Sequence, residues 1–360
     1  MQDFEKHKRN FFNFLDSLKD EEMVGIVSHA NCLDGMTSAI FMVEILKKKY
    51  PIIKADINFI SYTTGALDKL AERFNKIEIK RVFVLDLNVD MEMIDEFEKF
   101  RKNFNVCFID HHPVNLKLIM DENVIKTDGH DCTGLVIYRF GEGIIDYSKW
   151  TWLACVTAIS EFSYKGDENL KFIQKHYPDF DAKNVENSEI FNVVNKTSSL
   201  VIYYSKDSLK AYDILLKKDF EVIDNIHSEV SSEMERCLQD FEKNAERHFD
   251  NHLYFYLFKS RFSMGSKMST ILSVRHRGST IITFSEINGT DRLKVSVRNN
   301  ADKLIYFMNE MLGYGVKGLE NAMGAGHPNA SGGSFMKKDL DRFKKNIIEF
   351  VKTKLSTEKT

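Results

Sequence analysis

At three places in this chain, histidines or carboxylates stand directly after a short apolar run. Residues 23–27 lead into Ser28-His29-Ala30-Asn31-Cys32-Leu33-Asp34-Gly35. Residues 82–85 lead into Asp86-Leu87-Asn88, and residues 106–109 into Asp110-His111-His112-Pro113. Carboxylates gathered with one or two imidazoles suit Mn²⁺, Mg²⁺ or Fe²⁺ better than a closed structural zinc site, which would draw on thiolates. A carboxylate such as Asp86 can bridge two ions about 3.5–4 Å apart, an arrangement that stabilises both the attacking and the leaving oxygen of a phosphoester displacement. Taken singly, His29 is equally well explained as a loop residue and Asp86 as a helix N-cap. Their recurrence at one strand end after another points to a metal site.

The elements that must position these groups follow from the apolar pattern. The three runs are short, β-branched or aromatic, and bounded by polar residues, so they read as buried strands. Helical periodicity over 37–48 and 91–102 separates them, which makes parallel βαβ units. In an open parallel sheet, side chains just beyond the carboxyl ends of the strands converge on one crevice. The expected fold class is α/β: an N-terminal doubly wound, mostly parallel sheet and a smaller C-terminal α/β domain, joined by a helical connector.

A chain of 360 residues, 43% hydrophobic and 29% charged, is too long for one ordinary core and suits two soluble globular domains. The net charge of −3 leaves no global footprint for long duplex nucleic acid, so phosphate affinity must be local. No apolar run is long enough to span a membrane, and the charged, aromatic N-terminus lacks a signal-peptide core. Cys32, Cys107, Cys132, Cys155 and Cys237 are odd in number and form no Cys-x-x-Cys pair, which fits reduced thiols in a cytoplasm.

The expected organisation is a metal-binding domain over 1–187, a connector over 188–249 and a substrate-binding domain over 250–360. Residues 188–247 contain no glycine or proline. Apolar stripes through Leu209, Tyr212, Leu215 and Leu216, and through Val222, Ile226, Val230, Met234, Leu238 and Phe241, mark two long helices. Packing against the first domain is the expected use of the stripe, and a homodimer contact is the alternative. In the last domain, 253–258, 279–284 and 293–297 read as strands, with Asn288-Gly289 as a turn. Helices are expected over 301–312 and 339–354. Between them lies Gly324-Ala325-Gly326-His327-Pro328-Asn329-Ala330-Ser331-Gly332-Gly333. It reads as a glycine-rich loop whose backbone N–H groups can approach an anion, with His327 as a donor and Arg298 offering a bidentate phosphate contact.

These motifs, in this order, resemble the DHH phosphoesterases: Asp110-His111-His112 is similar to their signature, and the glycine-rich string to that of the associated C-terminal domain, DHHA1. The resemblance covers roughly 20–170 and 250–340. It implies two divalent cations, Mn²⁺ first with Mg²⁺ or Fe²⁺ as alternatives. His29 matches a ligand of the first ion, Asp34 a metal ligand of the same motif, Asp86 the bridging carboxylate, and His111 a ligand of the second ion. His112 matches the histidine that contacts the phosphate, and Asp110 a residue that orients it. Asp86, Asp110, His111 and His112 thus form the implied catalytic set. Arg298, Gly324, Gly326, His327, Ala330, Ser331 and Gly332 match substrate-contacting positions.

The string departs from the family at one carboxylate. If Asp34 takes the second aspartate's place, Cys32 stands where the first belongs; if it takes the first, Met36 replaces the second. The Asp34-Gly35 pair opening a helix favours Cys32. Glu161 is the best match for the last metal carboxylate, with Asp128 and Asp131 as competitors that would equally serve as helix caps. The implied reaction is hydrolysis of short oligonucleotides, linear dinucleotides or cyclic dinucleotides, as in the family's nanoRNases and cyclic-dinucleotide phosphodiesterases. The alternatives are a phosphatase acting on adenosine 3′,5′-bisphosphate, a pyrophosphatase or polyphosphatase, and a non-catalytic nucleotide-binding protein.

Overall fold

The computed structural model describes residues 2–115, 117, 118, 121–127, 129–287 and 289–357, the side chains of 2, 3, 91, 92, 325, 327 and 357 aside. The chain folds as two compact units, Met1–His227 and Ser228–Thr360.

In the first unit, strands β1 (Met23–His29), β2 (Lys54–Ile60), β3 (Arg81–Leu85), β4 (Asn105–Asp110) and β5 (Val124–Lys126) form one sheet in the order β2-β1-β3-β4-β5. Every neighbouring pair is parallel. The helices before and among them are α1 (Gln2–Asp16), α2 (Leu33–Lys49), α3 (Ala66–Lys76), α4 (Val89–Glu92) and α5 (Ile94–Asn103). After β5 come α6 (Thr133–Phe140), α7 (Tyr147–Ser160), α8 (Asp167–His176), α9 (Glu189–Tyr203) and α10 (Ser208–Lys217). Alternation along the central strands separates two cores. Val82 and Val84 of β3 pack with Leu67, Leu70, Phe74, Phe97 and Phe100 of α3 and α5. Phe83, on the other face, meets Phe11 and Phe14 of α1 at 6.5 and 5.1 Å between ring centroids. Helices on both faces make the sheet doubly wound.

The strand order reverses between β1 and β3: from β1 the chain crosses to the edge strand β2, and from β3 it runs the other way through β4 and β5. That is the position where crevices open in such sheets. The strand ends bearing His29 and Asp86 are therefore spatial neighbours but not consecutive in the chain, because β2 and α3 lie between them. The helix expected over 91–102 is also broken, with Met93 separating α4 from α5.

The long helix α11 (Phe220–Asn244) contains the division between the units. The second unit has strands β6 (Glu246–His248), β7 (Leu253–Leu257), β8 (Thr280–Glu286), β9 (Arg292–Asn299), β10 (Met323–His327) and β11 (Ala330–Met336). They form a mixed sheet in the order β10-β11-β9-β8-β7-β6, parallel only between β7 and β8. Helices α12 (Gly265–Arg275), α13 (Met308–Gly315) and α14 (Leu340–Thr357) accompany it. Leu293, Val295 and Val297 of β9 pack with Met308, Met311, Leu312, Phe343 and Ile347.

Two expectations change here. The helix expected over 301–312 begins only at Met308, whose N–H donates to the Pro328 carbonyl at 2.7 Å. The glycine-rich string is not a loop but the hairpin β10–β11, with Gly324 facing Gly333 and Ala325 facing Gly332. A Cβ on Gly333 would lie 2.1 Å from the Met323 carbonyl oxygen, so the pairing itself demands glycine there. The Asn288 of the expected turn lies outside the described residues. Among the described residues, no helix is long and apolar enough to cross a membrane.

Candidate metal centre

The turn from β1 into α2 delivers three donors. Asn31 takes a left-handed backbone, φ 61°, and Cys32 caps α2 with extended dihedrals of −127° and 134°. Ser28, buried beneath the turn, donates to the carbonyls of Gly35 at 2.7 Å and Leu85 at 3.1 Å, which ties the first turn of α2 to the ends of β1 and β3. Asp34 is fully buried and accepts from the backbone N–H of Thr133 at 2.8 Å and of Gly134 at 2.7 Å. The cap of α6 thus comes from a side chain about a hundred residues upstream, and Asp131, an expected cap, instead accepts from Asn169 at 3.2 Å. A Cβ on Gly134 would lie 2.9 Å from Asp34 Oδ1, so glycine lets the two elements approach.

Asp86 follows β3 with φ 51°, a region that non-glycine residues enter at a cost of order 1–3 kcal/mol. Its N–H donates to the Ile109 carbonyl at 3.0 Å, and Asn88, not Asp86, stands at the N-cap position of α4, without a capping bond from its side chain. His111 Nε2 lies 3.5 Å from Asp86 Oδ1 and 3.9 Å from Asp34 Oδ2. Donor atoms of His29, Cys32 and Asp86 all fall within 4.8 Å of one another, and so do those of Asp86, His111 and His112. Asp86 is common to both groups. Glu161, just past α7, accepts from the Cys32 thiol at 3.7 Å. Met36 is buried in the core, so of the two residues weighed for the missing carboxylate it is Cys32 that stands beside His29 and Asp86. Asp128 lies outside the described residues.

The electrostatics suit a cation. Burial, and then the facing charges of Asp34 and Glu161, push Asp86 far above the carboxylate range. Burial and Asp34 raise Glu161 to about 7. Asp34 is raised as well, mainly by burial, against the opposing pull of His111 and its two backbone donors. Burial, helped by the charge of His112, lowers His29 to about 4, which keeps its imidazole neutral and able to ligate. Asp86 Oδ2 is buried with no hydrogen-bond donor. Crowded carboxylates that raise one another, neutral imidazole and an orphaned oxygen are what divalent ions would satisfy.

Behind the crevice runs a second layer of contacts. Asp110 accepts from His112 Nδ1 at 2.8 Å and from Lys126 Nζ at 2.5 Å, and Lys126 also pairs with buried Asp90. Asp90 in turn accepts from the Asn115 N–H at 2.5 Å. Burial opposes charge on Asp110, yet His112 and Lys126 outweigh it and hold the carboxyl below its ordinary value. Burial also opposes protonation of His112, and Asp110 outweighs it, so His112 is raised. The Tyr62 ring lies 4.8 Å from that of His29, and its hydroxyl accepts from the Asn88 N–H at 3.1 Å. Sequence reasoning missed Tyr62, Asp90 and Lys126. Tyr62 follows β2 and Lys126 ends β5, strands with too weak an apolar pattern to be read, and Asp90 lies in the short helix α4 after β3.

In the second unit, Arg298, the penultimate residue of β9, donates to the carbonyls of Val297 at 2.8 Å and Ser331 at 3.1 Å and to Ser266 Oγ at 2.9 Å. Register places Arg298 opposite Ala330, and Gly326 opposite Ser331, so Arg298, Gly324, Gly326, Ala330, Ser331 and Gly332 share three adjacent strands. Ser331 is buried. The His327 side chain lies outside the described ones.

Residues 23–168 match the model of the DHH family, N-terminal domain. No curated protein matches the chain in sequence. Among solved structures, it is similar to exonuclease RecJ bound to manganese: TM-score 0.65, 13% identity, 96% of this chain and 94% of that one. It is also similar to an exopolyphosphatase-related protein from Bacteroides fragilis, with TM-score 0.54, 14% identity and 97% of each chain. A third is PggH, a pGpG-specific phosphodiesterase from Vibrio cholerae, with TM-score 0.50, 12% identity, 92% of this chain and 99% of that one. At such identities these likenesses carry the fold alone.

Proposed function

The first unit of this chain carries a DHH-family N-terminal domain, and from that premise we propose that the protein is a metal-dependent phosphodiesterase. Its proposed substrates are short oligonucleotides or dinucleotides, linear or cyclic, and its products mononucleotides. One observation carries the reading: two donor groups, His29–Cys32–Asp86 and Asp86–His111–His112, overlap on a buried carboxylate. In this reading His29, Cys32, Asp34, Asp86, His111 and Glu161 would hold the divalent ions, with Asp86 common to both groups of donors. Divalent cations supply a nucleophilic water of lowered pKa and offset the charge growing on the phosphoryl oxygens. The chain's own part is positioning and proton placement. With Nδ1 of His112 engaged by Asp110, Nε2 is the nitrogen that can donate to a phosphoryl oxygen, and the carboxylate of Asp110, which raises the His112 pKa, favours the imidazolium form in which Nε2 carries a proton. Lys126 and Asp90 lock Asp110 in that role. In the second unit, Arg298 and the β10–β11 hairpin supply the proposed phosphate contacts.

The test is turnover of a panel, pGpG, pApA, cyclic dinucleotides, adenosine 3′,5′-bisphosphate and pyrophosphate, with Mn²⁺ and with EDTA. Dinucleotides should turn over fastest, and Asp86→Ala should abolish both turnover and bound metal. The loss should be several kcal/mol of transition-state stabilisation. Near-normal activity in Asp86→Ala would sink the metal reading. Preferential turnover of pyrophosphate or the bisphosphate would move the substrate class.

A further inference from the structure

The crevice holds a thiol among donors otherwise suited to a hard cation. Cys32 Sγ, a ring nitrogen of His29 and a carboxylate oxygen of Asp86 lie within 4.8 Å of one another. Glu161 Oε1 stands 3.7 Å from the sulfur. Cys107, Cys132, Cys155 and Cys237 are all buried, whereas Cys32 is partly open. The neighbouring group, Asp86 with His111 and His112, contains no sulfur. The two halves of the crevice therefore share an oxygen and differ in softness.

We propose that Cys32 is a metal ligand and that the His29–Cys32–Asp86 position takes a borderline ion, Zn²⁺, Fe²⁺ or Co²⁺, in preference to Mn²⁺ or Mg²⁺. The proposal rests on the metal-binding reading above and sharpens it to a class of ion. Sulfur is polarisable and binds ions late in the first-row series well, whereas Mg²⁺ keeps its waters and prefers oxygen. One imidazole, one thiolate and carboxylate oxygens make a mixed set of the kind that catalytic zinc sites use. On binding, the S–H bond is lost, a sulfur–metal bond forms, and the proton passes to solvent. The position with His111 remains a nitrogen–oxygen site, so the two ions of a loaded protein need not be the same element.

The experiment uses the full chain, stripped with a chelator and titrated with Co²⁺ alone. A sulfur-to-cobalt charge-transfer band should appear in the near ultraviolet and be absent from Cys32→Ser. By competition, Cys32→Ser should weaken Zn²⁺ binding by about tenfold or more while changing Mn²⁺ binding far less. Cys32→Asp should reverse the order of preference. Thermal unfolding of the metal-free variants checks that they fold. Should both fail to fold, alkylation of Cys32 in the unsubstituted protein decides: Zn²⁺ should protect it and Mg²⁺ should not. If Co²⁺ binds without the band and Zn²⁺ gives no protection, the ligand proposal is wrong and the metal reading stands. If no divalent ion binds at all, both fall.

Discussion

Asp86 combines a left-handed backbone, burial and an oxygen with no donor, and donor atoms of both groups of the crevice meet on it. Around it, Glu161 is the carboxyl whose ionisation should be easiest to follow. Burial and the Asp34 charge raise it to about 7 in the fold, against an ordinary carboxylate value in the unfolded chain. The folded state therefore binds more protons, so the stability this group contributes is present at low pH and is lost as pH rises toward about 7. In EDTA, Glu161→Gln should lack that downward contribution, so its melting temperature should fall less, or rise more, between about pH 5 and 7 than that of the unsubstituted protein. His29, lowered to about 4, contributes an opposing rise in both. Divalent metal should flatten or reverse the Glu161 contribution. A pH slope left unchanged by Glu161→Gln in EDTA would show that burial and Asp34 do not raise Glu161 as described. His29, Asp86 and His111 were legible because each stands at the end of a β-branched run that had to be a strand, whereas Glu161 follows helix α7 and was reached only through the family resemblance. Tyr62 and Lys126 were not legible, since only tertiary contact reveals what a tyrosine after a half-exposed strand touches.

The β10–β11 hairpin shows where element reading fails. Its strands are built from Gly, Ala and Ser, residues with little strand preference, so register with β9 and not local propensity makes them strands. β2 escaped for a related reason: it is an edge strand, half-exposed along most of its length. Glycine content alone suggested an anion-cradling loop, whereas close approach within the sheet explains Gly333 without any ligand. Gly333→Ala should thus cost about 1–3 kcal/mol of stability in urea unfolding, by forcing the strands apart. At Gly332 a Cβ would meet only the Val295 carbonyl oxygen at 3.4 Å, so Gly332→Ala should leave stability nearly unchanged. If Gly332→Ala nonetheless weakens nucleotide binding, that position serves a ligand. Equal stability losses in the two variants would undo the distinction.

At the scale of the whole molecule, division into two units separates what is proposed to hold metal from what is proposed to hold nucleotide. Arg298 keeps part of its guanidinium on backbone carbonyls and Ser266, which fixes its plane. Arg298→Ala should raise KM for dinucleotides by tenfold or more, about 1.4 kcal/mol, and leave metal content intact. Kinetics unchanged in that variant would place the nucleotide elsewhere. The fold class was readable in advance because strand and helix periods alternate along the first unit. The sheet order was not readable, because it depends on β2 and on the three-residue β5.

One further consequence is kinetic. The contacts that close the crevice join distant stretches: Asp34 with Thr133 and Gly134, 99 and 100 residues apart, and Cys32 with Glu161, 129 apart. Thr37–Thr157 and Glu44–Trp150 span 120 and 106 residues. Loop-closure entropy falls due before such bonds reward it, so they should form after the folding barrier is crossed. Asp34→Ala should then speed unfolding of the metal-free protein and barely slow refolding, a φ-value near zero. A φ-value near one would put Asp34 in the nucleus. On the first outcome, the crevice is the last part of its unit to close and the first to open.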